Sequence, residues 1–129
     1  MTTLVLVLSL AIVLLMAYRF WEPFVDAPKR EVPVGTATLY FFYTDWCGFS
    51  KKAMPEWEAL EAKLKDSPMF GTTRVTPVRV NGETDRKTTT LYQIEGYPTI
   101  KLETSSGLSD YTGKRTSGDI LAFLRDTLG

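Results

Sequence analysis

The sequence of 129 residues contains no histidine and only one cysteine, Cys47. The absence of histidine excludes imidazole metal ligands and His-based catalytic pairs within the chain. A single cysteine excludes an internal disulfide and a zinc site made of several thiolates, and it is typical of a reducing compartment. The 15 Lys and Arg residues balance the 15 Asp and Glu residues, and no basic run indicates nucleic-acid binding. These exclusions leave the single thiol of Cys47 as a group to examine.

One long apolar run opens the chain. Residues 4–17 are apolar except for Ser9, and Tyr18, Phe20 and Trp21 follow. A helix that spans a membrane needs about 17–25 apolar residues, and this run with its aromatic end reaches that lower limit. The sequence therefore predicts a transmembrane helix over 1–21, with membrane contact through residues 4–20. A cleaved signal peptide and a buried core helix are the alternatives, but no small-x-small cleavage site follows the run.

The Lys and Arg residues nearest this segment all follow it. Arg19, Lys29 and Arg30 lie on its C-terminal side, and only the terminal amine precedes it. The positive-inside rule then predicts a single-pass protein whose C-terminal domain lies on the cytoplasmic side. Residues 22–35 contain three prolines and are predicted to be a stiff linker, with a disordered spacer as the alternative.

Hydrophobic periodicity after residue 36 predicts alternating strands and helices. The predicted strands are 36–44, 74–80, 98–103 and 108–112, and the predicted helices are 49–65, 85–94 and 119–128. The first two strands are joined through a helix and should be parallel, whereas the last two form a hairpin. Pro77 favours the sheet edge for the second strand. The predicted fold class is α/β, with a β-α-β-α-β-β-α order, a mixed four-stranded sheet and helices on both faces, in one domain over 36–129.

The single cysteine lies between the first strand and the first of these helices. A helix N-terminus carries a partial positive charge and free backbone N–H groups, and both favour a thiolate over a thiol. Cys47 is therefore the candidate reactive group. Lys51 and Lys52 follow in the first helical turns and are candidates for lowering its pKa, although surface lysines are more often merely solvated.

Several motifs stand in the order and spacing of the thioredoxin superfamily. They are Phe42-Tyr43-Thr44-Asp45-Trp46-Cys47-Gly48-Phe49-Ser50-Lys51, Pro55, Gly96-Tyr97-Pro98-Thr99-Ile100-Lys101-Leu102 and Tyr111-Thr112-Gly113-Lys114-Arg115. The domain resembles most closely those of protein disulfide isomerases, over residues 36–129. The resemblance implies that Pro98 is cis, lies opposite the cysteine and borders a backbone segment that pairs with extended peptides. It makes Trp46, Gly48, Phe49, Tyr97 and Pro98 the candidate partner-binding residues.

Two departures from that family affect its chemistry. Dithiol exchange needs a second thiol to resolve the mixed disulfide, and Ser50 stands at that position. The family also places a buried Asp or Glu six residues before the nucleophilic cysteine, and here that residue is Phe41. Together these changes predict that dithiol catalysis has been lost. Arg115 matches the arginine with which isomerases tune the second cysteine, and is predicted to be a solvated loop charge or a loop anchor.

Three functional hypotheses follow. The first is a non-catalytic, membrane-anchored thioredoxin-like module, without a cofactor, that binds a protein partner or supports an assembly. The run from Asp45-Trp46-Cys47 to Met54-Pro55-Glu56-Trp57-Glu58 also resembles thioredoxin-like proteins of large DNA viruses. This resemblance extends the hypothesis to a structural component of a virion or viral membrane. The second is a monothiol redox protein that forms mixed disulfides with client proteins or glutathione. The third is glutathione-dependent iron–sulfur binding through Cys47-Gly48-Phe49-Ser50, the signature of monothiol glutaredoxins.

Overall fold

The N-terminal segment is an apolar helix. The structure, a computed structural model, describes residues 1–20 and 31–129, and the chain divides into two units, Met1–Arg30 and Glu31–Gly129. In the first unit α1 covers Thr2–Phe20, and over Thr2–Arg19 its mean hydropathy of 2.1 and its length allow it to cross a membrane. Its apolar side chains are exposed on all sides, which differs from a core helix and suits a lipid environment. Most of the predicted linker, residues 22–30, lies outside the described residues.

The second unit is built on a mixed sheet with β1 at its centre. The strands are β1 (Thr36–Tyr43), β2 (Met69–Phe70), β3 (Thr73–Asn81), β4 (Thr99–Thr104) and β5 (Gly107–Tyr111), in the spatial order β2-β3-β1-β4-β5. The strand β1 runs parallel to β3 and antiparallel to β4, and β5 forms a hairpin with β4. The predicted order of elements and the α/β class are confirmed. The sheet has five strands rather than four, because β2 adds a short pair beside β3.

Helices cover both faces of this sheet, as predicted. They are α2 (Gly48–Asp66), α3 (Arg86–Leu91) and α4 (Ser117–Leu128). Side chains of β1 alternate between the two faces. Leu39 and Phe41 pack with Trp57 of α2 and Leu124 of α4 in the main core. On the opposite face, a smaller cluster consists of Tyr40, Phe42, Val80 and Tyr92.

Two details of the predicted elements differ from the structure. The strand with Pro77 was expected at the sheet edge; β2 lies outside it but pairs only with Thr73 and Arg74. Among the described residues no strand pairs with Pro77 on that outer side, so the expectation holds at the proline itself. The predicted helix 85–94 is shorter in the structure, since α3 covers only Arg86–Leu91, and the Leu91 side chain is 58% exposed. The helix α3 ends at Leu91, so the next residue, Tyr92, enters the core in its place.

The helices α2 and α4 are joined where α4 begins. Thr116 caps α4, because its side-chain oxygen accepts the backbone N–H of Asp119, and threonine is a common residue at this position. The backbone N–H of Ser117 donates to the Glu56 carboxylate of α2 at 2.8 Å, and Lys63 donates to the Ser117 hydroxyl at 3.3 Å. These bonds fix the start of α4 against the middle of α2.

Candidate functional site

The site is centred on the turn between β1 and α2. Cys47 is the N-cap residue of α2, with an extended backbone (φ −78°, ψ 120°), and its carbonyl accepts the N–H of Lys51 at 3.0 Å. This conformation places the side chain beside the first, unpaired N–H groups of the helix. Cys47 is half-exposed, whereas Trp46 and Phe49 on either side are 67% and 69% exposed. A reachable thiol is thus flanked by two exposed aromatic rings.

The loop before β4 faces this turn. The Tyr97–Pro98 peptide bond is cis, as the resemblance implied. The Cys47 thiol donates to the carbonyl oxygen of Tyr97 with an S···O distance of 3.6 Å. The guanidinium of Arg115 donates to the next carbonyl, that of Pro98, at 3.4 Å. Arg115 is therefore a loop anchor, one of the two roles considered for it.

Ser50 lies beneath the turn and does not reach solvent. Its side chain is 1% exposed, and its hydroxyl oxygen accepts the backbone N–H of Thr44 at 3.3 Å. This bond links the end of β1 to the first turn of α2. With one cysteine in the chain and Ser50 at the position of the resolving thiol, the domain has no dithiol chemistry.

The surroundings of Cys47 favour its thiolate. The backbone N–H of Ser50 makes the largest contribution to a lowered pKa of the Cys47 thiol, and burial opposes it. The Ser50 hydroxyl, the backbone N–H of Phe49 and the positive charge of Arg115 lower this pKa further. The cation that contributes therefore comes from the loop before α4, rather than from the Lys51 and Lys52 considered from the sequence.

The position of the family's buried acid is filled by an aromatic ring. Phe41 is fully buried and stacks on Trp57, with ring centroids 4.8 Å apart. A phenyl ring neither accepts nor returns a proton, so the proton carrier of dithiol exchange is absent at this position. Both departures read from the sequence, Ser50 and Phe41, thus lie in the interior of the domain.

The predicted site residues divide into two groups that meet. Trp46, Cys47, Gly48 and Phe49 form the turn, and Tyr97 with Pro98 forms the facing loop. The sequence did not single out Thr44. Its role is to donate its backbone N–H to Ser50, and every residue except proline has that group, so residue type cannot reveal it. Within residues 1–20 and 31–129 no group of three or more Cys, Asp or Glu side chains is placed to hold a metal ion. The cluster-binding and glutathione hypotheses stay predictions.

Comparisons with known proteins agree with this architecture. The family model described as Thioredoxin matches residues 29–126. A protein disulfide-isomerase of Zea mays is 36% identical over 108 residues, which are 81% of this chain and 20% of that protein. A mitochondrial thioredoxin domain-containing protein of Schizosaccharomyces pombe is 33% identical over 106 residues, 78% of this chain and 28% of its own length.

Solved structures give the same result. Human ERp44 in its zinc-bound form has a TM-score of 0.63 at 26% identity and covers 72% of this chain and 27% of its own. The first thioredoxin domain of mouse protein disulfide-isomerase A4 has a TM-score of 0.61 at 29% identity, and the match covers 72% of this chain and 64% of that one. The chain spans 20% and 28% of the length of the two curated relatives named above. The chain belongs to the thioredoxin family. Its domain is similar to those of protein disulfide isomerases, and it contains a single cysteine.

Proposed function

We propose that this protein holds client proteins by a mixed disulfide that it cannot resolve by itself. The observation that carries the proposal is the placement of the half-exposed Cys47 sulfur 3.6 Å from the Tyr97 carbonyl. Thioredoxin domains typically bind protein clients, and the resemblance makes the loop at Pro98 the peptide-facing segment. The proposal combines the binding role expected first with the monothiol chemistry expected as its alternative.

The chemistry is a single thiol–disulfide exchange. The Cys47 thiolate attacks one sulfur of a client disulfide, so that a new S–S bond forms to Cys47 while the client's own S–S bond breaks. The second client sulfur leaves as a thiolate and takes up a proton from water. One disulfide is consumed and one is formed, so no further oxidant is needed. Ser50 cannot attack the adduct, and an external thiol such as glutathione releases the client.

The surface around the sulfur favours a protein segment over a small thiol. Trp46 and Phe49 present two rings to solvent, and exposed aromatic side chains beside a site often contribute much of its binding energy. The Tyr97 carbonyl loses its donor when the thiol is consumed. A backbone N–H of an extended client segment would satisfy it. In this proposal α1 anchors the domain to a membrane. Clients are held on the cytoplasmic side, as the positions of Lys and Arg predict. The resemblance to viral proteins adds a virion or viral membrane as the setting.

The test uses the full-length chain in detergent micelles and a fluorescent peptide whose one cysteine carries a 2-thiopyridyl leaving group. We expect an adduct that survives until glutathione is added, and none with Cys47→Ser. Trp46→Ala and Phe49→Ala should each slow adduct formation about fivefold, whereas Leu108→Ala, at an exposed site in β5, should not. A lack of adduct at neutral pH contradicts the proposal. If Cys47 forms its adduct with glutathione disulfide as fast as with this peptide, the result would support the glutathione alternative instead.

A further inference from the structure

The turn after β3 contains the chain's only asparagine, and a glycine follows it. Asn81 is the last residue of β3, and Gly82 comes next in the sequence. Asparagine is a chemically labile residue. The nitrogen of the following residue can attack the side-chain amide carbon, and glycine has no Cβ to hinder the approach. The pair is therefore a candidate for deamidation, the conversion of the side-chain amide into a carboxylate without an enzyme.

The nucleophile of that reaction is held by the fold. The Gly82 N–H donates to the Tyr43 carbonyl at 2.8 Å, which joins the end of β3 to the end of β1. Gly82 is buried, and a Cβ placed on it would overlap the ring of Tyr97, so that ring lies directly against the glycine. A backbone nitrogen must lose its proton before it attacks, and a proton bonded within the fold is exchanged only when the bond opens. Gly82 is therefore a nucleophile only in an open turn.

The amide that would be attacked is held at both of its ends. The Asn81 nitrogen donates to the Asp45 carboxylate at 3.1 Å, and the Asn81 oxygen accepts the backbone N–H of Glu83 at 3.0 Å. A carboxylate only accepts and a backbone N–H only donates, so the two bonds fix the orientation of the amide. Asp45 lies two residues before Cys47. Its bond with Asn81 therefore also ties the end of β3 to the cysteine turn.

We infer that Asn81 is a spontaneous modification site whose reaction the closed turn holds back and whose product no longer holds the turn closed. In the open turn the Gly82 nitrogen attacks the side-chain carbon of Asn81. A C–N bond closes a succinimide ring, and the amide nitrogen leaves as ammonia with the proton that Gly82 has lost. Water then opens the ring at either carbonyl, which gives aspartate or isoaspartate. One water is consumed and one ammonia is released, so no redox partner is needed, and client capture plays no part.

Either product loses the contact with Asp45. The side chain at position 81 becomes a carboxylate without a donor, and it faces the carboxylate of Asp45, so repulsion between like charges replaces a hydrogen bond. Isoaspartate also adds a carbon to the main chain, which displaces the Gly82 N–H from the Tyr43 carbonyl. The modification therefore loosens the end of β3 from the cysteine turn, and refolding does not reverse it.

The first experiment compares deamidation of the folded and the unfolded chain. The full-length protein in detergent micelles is incubated at mildly alkaline pH with and without urea. Mass spectrometry of the peptide that contains Asn81 follows the replacement of the amide by an acid. We expect the folded chain to react at least about tenfold more slowly, because only the open turn reacts. Gln93, the only other side-chain amide, is the internal control and should stay intact. Equal rates, or no reaction in urea, would overturn the inference.

The second experiment measures hydrogen exchange of the segment around Gly82. Asn81→Asp has the side chain of one product and should exchange about threefold faster, because the lost bond to Asp45 is exposed and worth little. The double variant Asp45→Asn with Asn81→Asp interchanges the two side chains, so their bond can form again and the parental rate should return. Glu83→Gln removes only a neighbouring charge and should change the rate little.

Unchanged exchange in α4 shows that each variant is folded. A parental rate for folded Asn81→Asp would overturn the inference, as would a double variant that exchanges as fast as Asn81→Asp. The comparison with urea needs no variant, so it still decides the matter if Asn81→Asp does not fold.

Discussion

Phe41 and Trp57 stack with an interplanar angle of 17° and ring centroids 4.8 Å apart. Both rings lie in the main core between β1 and α2, and Phe41 belongs to the strand that leads into the Cys47 turn. A second stacking contact joins Phe41 to Tyr43. Apolar packing has thus taken the position from which a carboxylate would exchange protons with a resolving thiol. The same replacement that removes a step of dithiol chemistry contributes to the stability of the domain.

Phe41→Ala should destabilise the domain by about 3–5 kcal/mol, the usual cost of a phenyl-sized cavity in a core. Equilibrium denaturation of the full-length chain, followed by tryptophan fluorescence, measures it. Phe49→Ala makes the same change at an exposed position and should cost less than about 0.5 kcal/mol. A loss below about 1 kcal/mol for Phe41→Ala would show that the core closes around the cavity.

Ser50→Cys should convert the retained client adduct into one that is released. The new thiol stands three residues from Cys47 in the first turn of α2, where it can attack the mixed disulfide within the same chain. The lifetime of the peptide adduct should fall at least about tenfold, because the attack becomes intramolecular. Non-reducing gels over time measure this lifetime, with Ser50→Ala as the variant that keeps the adduct. An unchanged lifetime would mean that the new thiol cannot reach the sulfur.

The reactivity of Cys47 should begin at lower pH in the folded chain than in the unfolded one. The folded pKa is lowered, and an unperturbed cysteine titrates near about 8.5. Between the two values the unfolded chain binds more protons, so stability rises with pH up to the unfolded pKa and is lost as pH falls through the folded pKa. Alkylation of the same chain with and without urea compares both states. Coinciding midpoints would contradict the prediction.

Tyr92→Phe should destabilise the domain by about 1–3 kcal/mol. The Tyr92 hydroxyl donates to the carboxylate of Glu103, and both side chains are buried on the α3 face of the sheet. Burial is the first cause, and the bond to Glu103 the second, of the raised pKa of Tyr92. Removing the hydroxyl leaves a buried carboxylate with one donor fewer.

Tyr111→Phe is the matched control for that change. The Tyr111 hydroxyl donates to the Lys114 carbonyl in an exposed loop, where water can replace it. Denaturation midpoints should therefore fall clearly for Tyr92→Phe and little for Tyr111→Phe. Equal losses would indicate that the Glu103 carboxylate does not depend on Tyr92.

Membrane attachment should depend on α1 alone. The full-length chain, expressed in cells, should resist extraction by alkaline carbonate and dissolve in detergent, and removal of residues 2–20 should release it. Mass spectrometry of the N-terminus separates a retained anchor from a cleaved signal peptide. Protease protection of the C-terminal domain tests the cytoplasmic orientation. A mature chain that begins after residue 20 would contradict the anchor.

Most of the fold follows from local patterns in the sequence. The alternation in β1 and the apolar spacing in α2 and α4 set their buried faces, because each face needs a core to pack on. The turn at Cys47 and the loop at Pro98 are each formed by a short unbroken stretch of sequence. Both stretches match motifs of the family, and the resemblance implied that they face each other.

What the sequence did not give depends on contacts between distant segments. The two residues of β2 are too few to show a period, and they form a strand only because β3 lies beside them. Leu91 fits a helical pattern that continues beyond it, but α3 stops there and Gln93 adopts a positive φ of 54°. Arg115 bonds a carbonyl 17 residues away, and residue type says nothing about a backbone acceptor.

The bond between Glu56 and the N–H of Ser117 involves neither the thiol nor its cation. Yet α2 begins at the cysteine turn, and Ser117 stands two residues after Arg115. The bond therefore helps to hold the loop that carries Arg115 against the helix that begins at the cysteine turn. Glu56 lies nine residues after Cys47 in the sequence. Loss of its carboxylate would free the start of α4 and the neighbouring Arg115 loop, and would so alter the surroundings of the thiol without a direct contact to it.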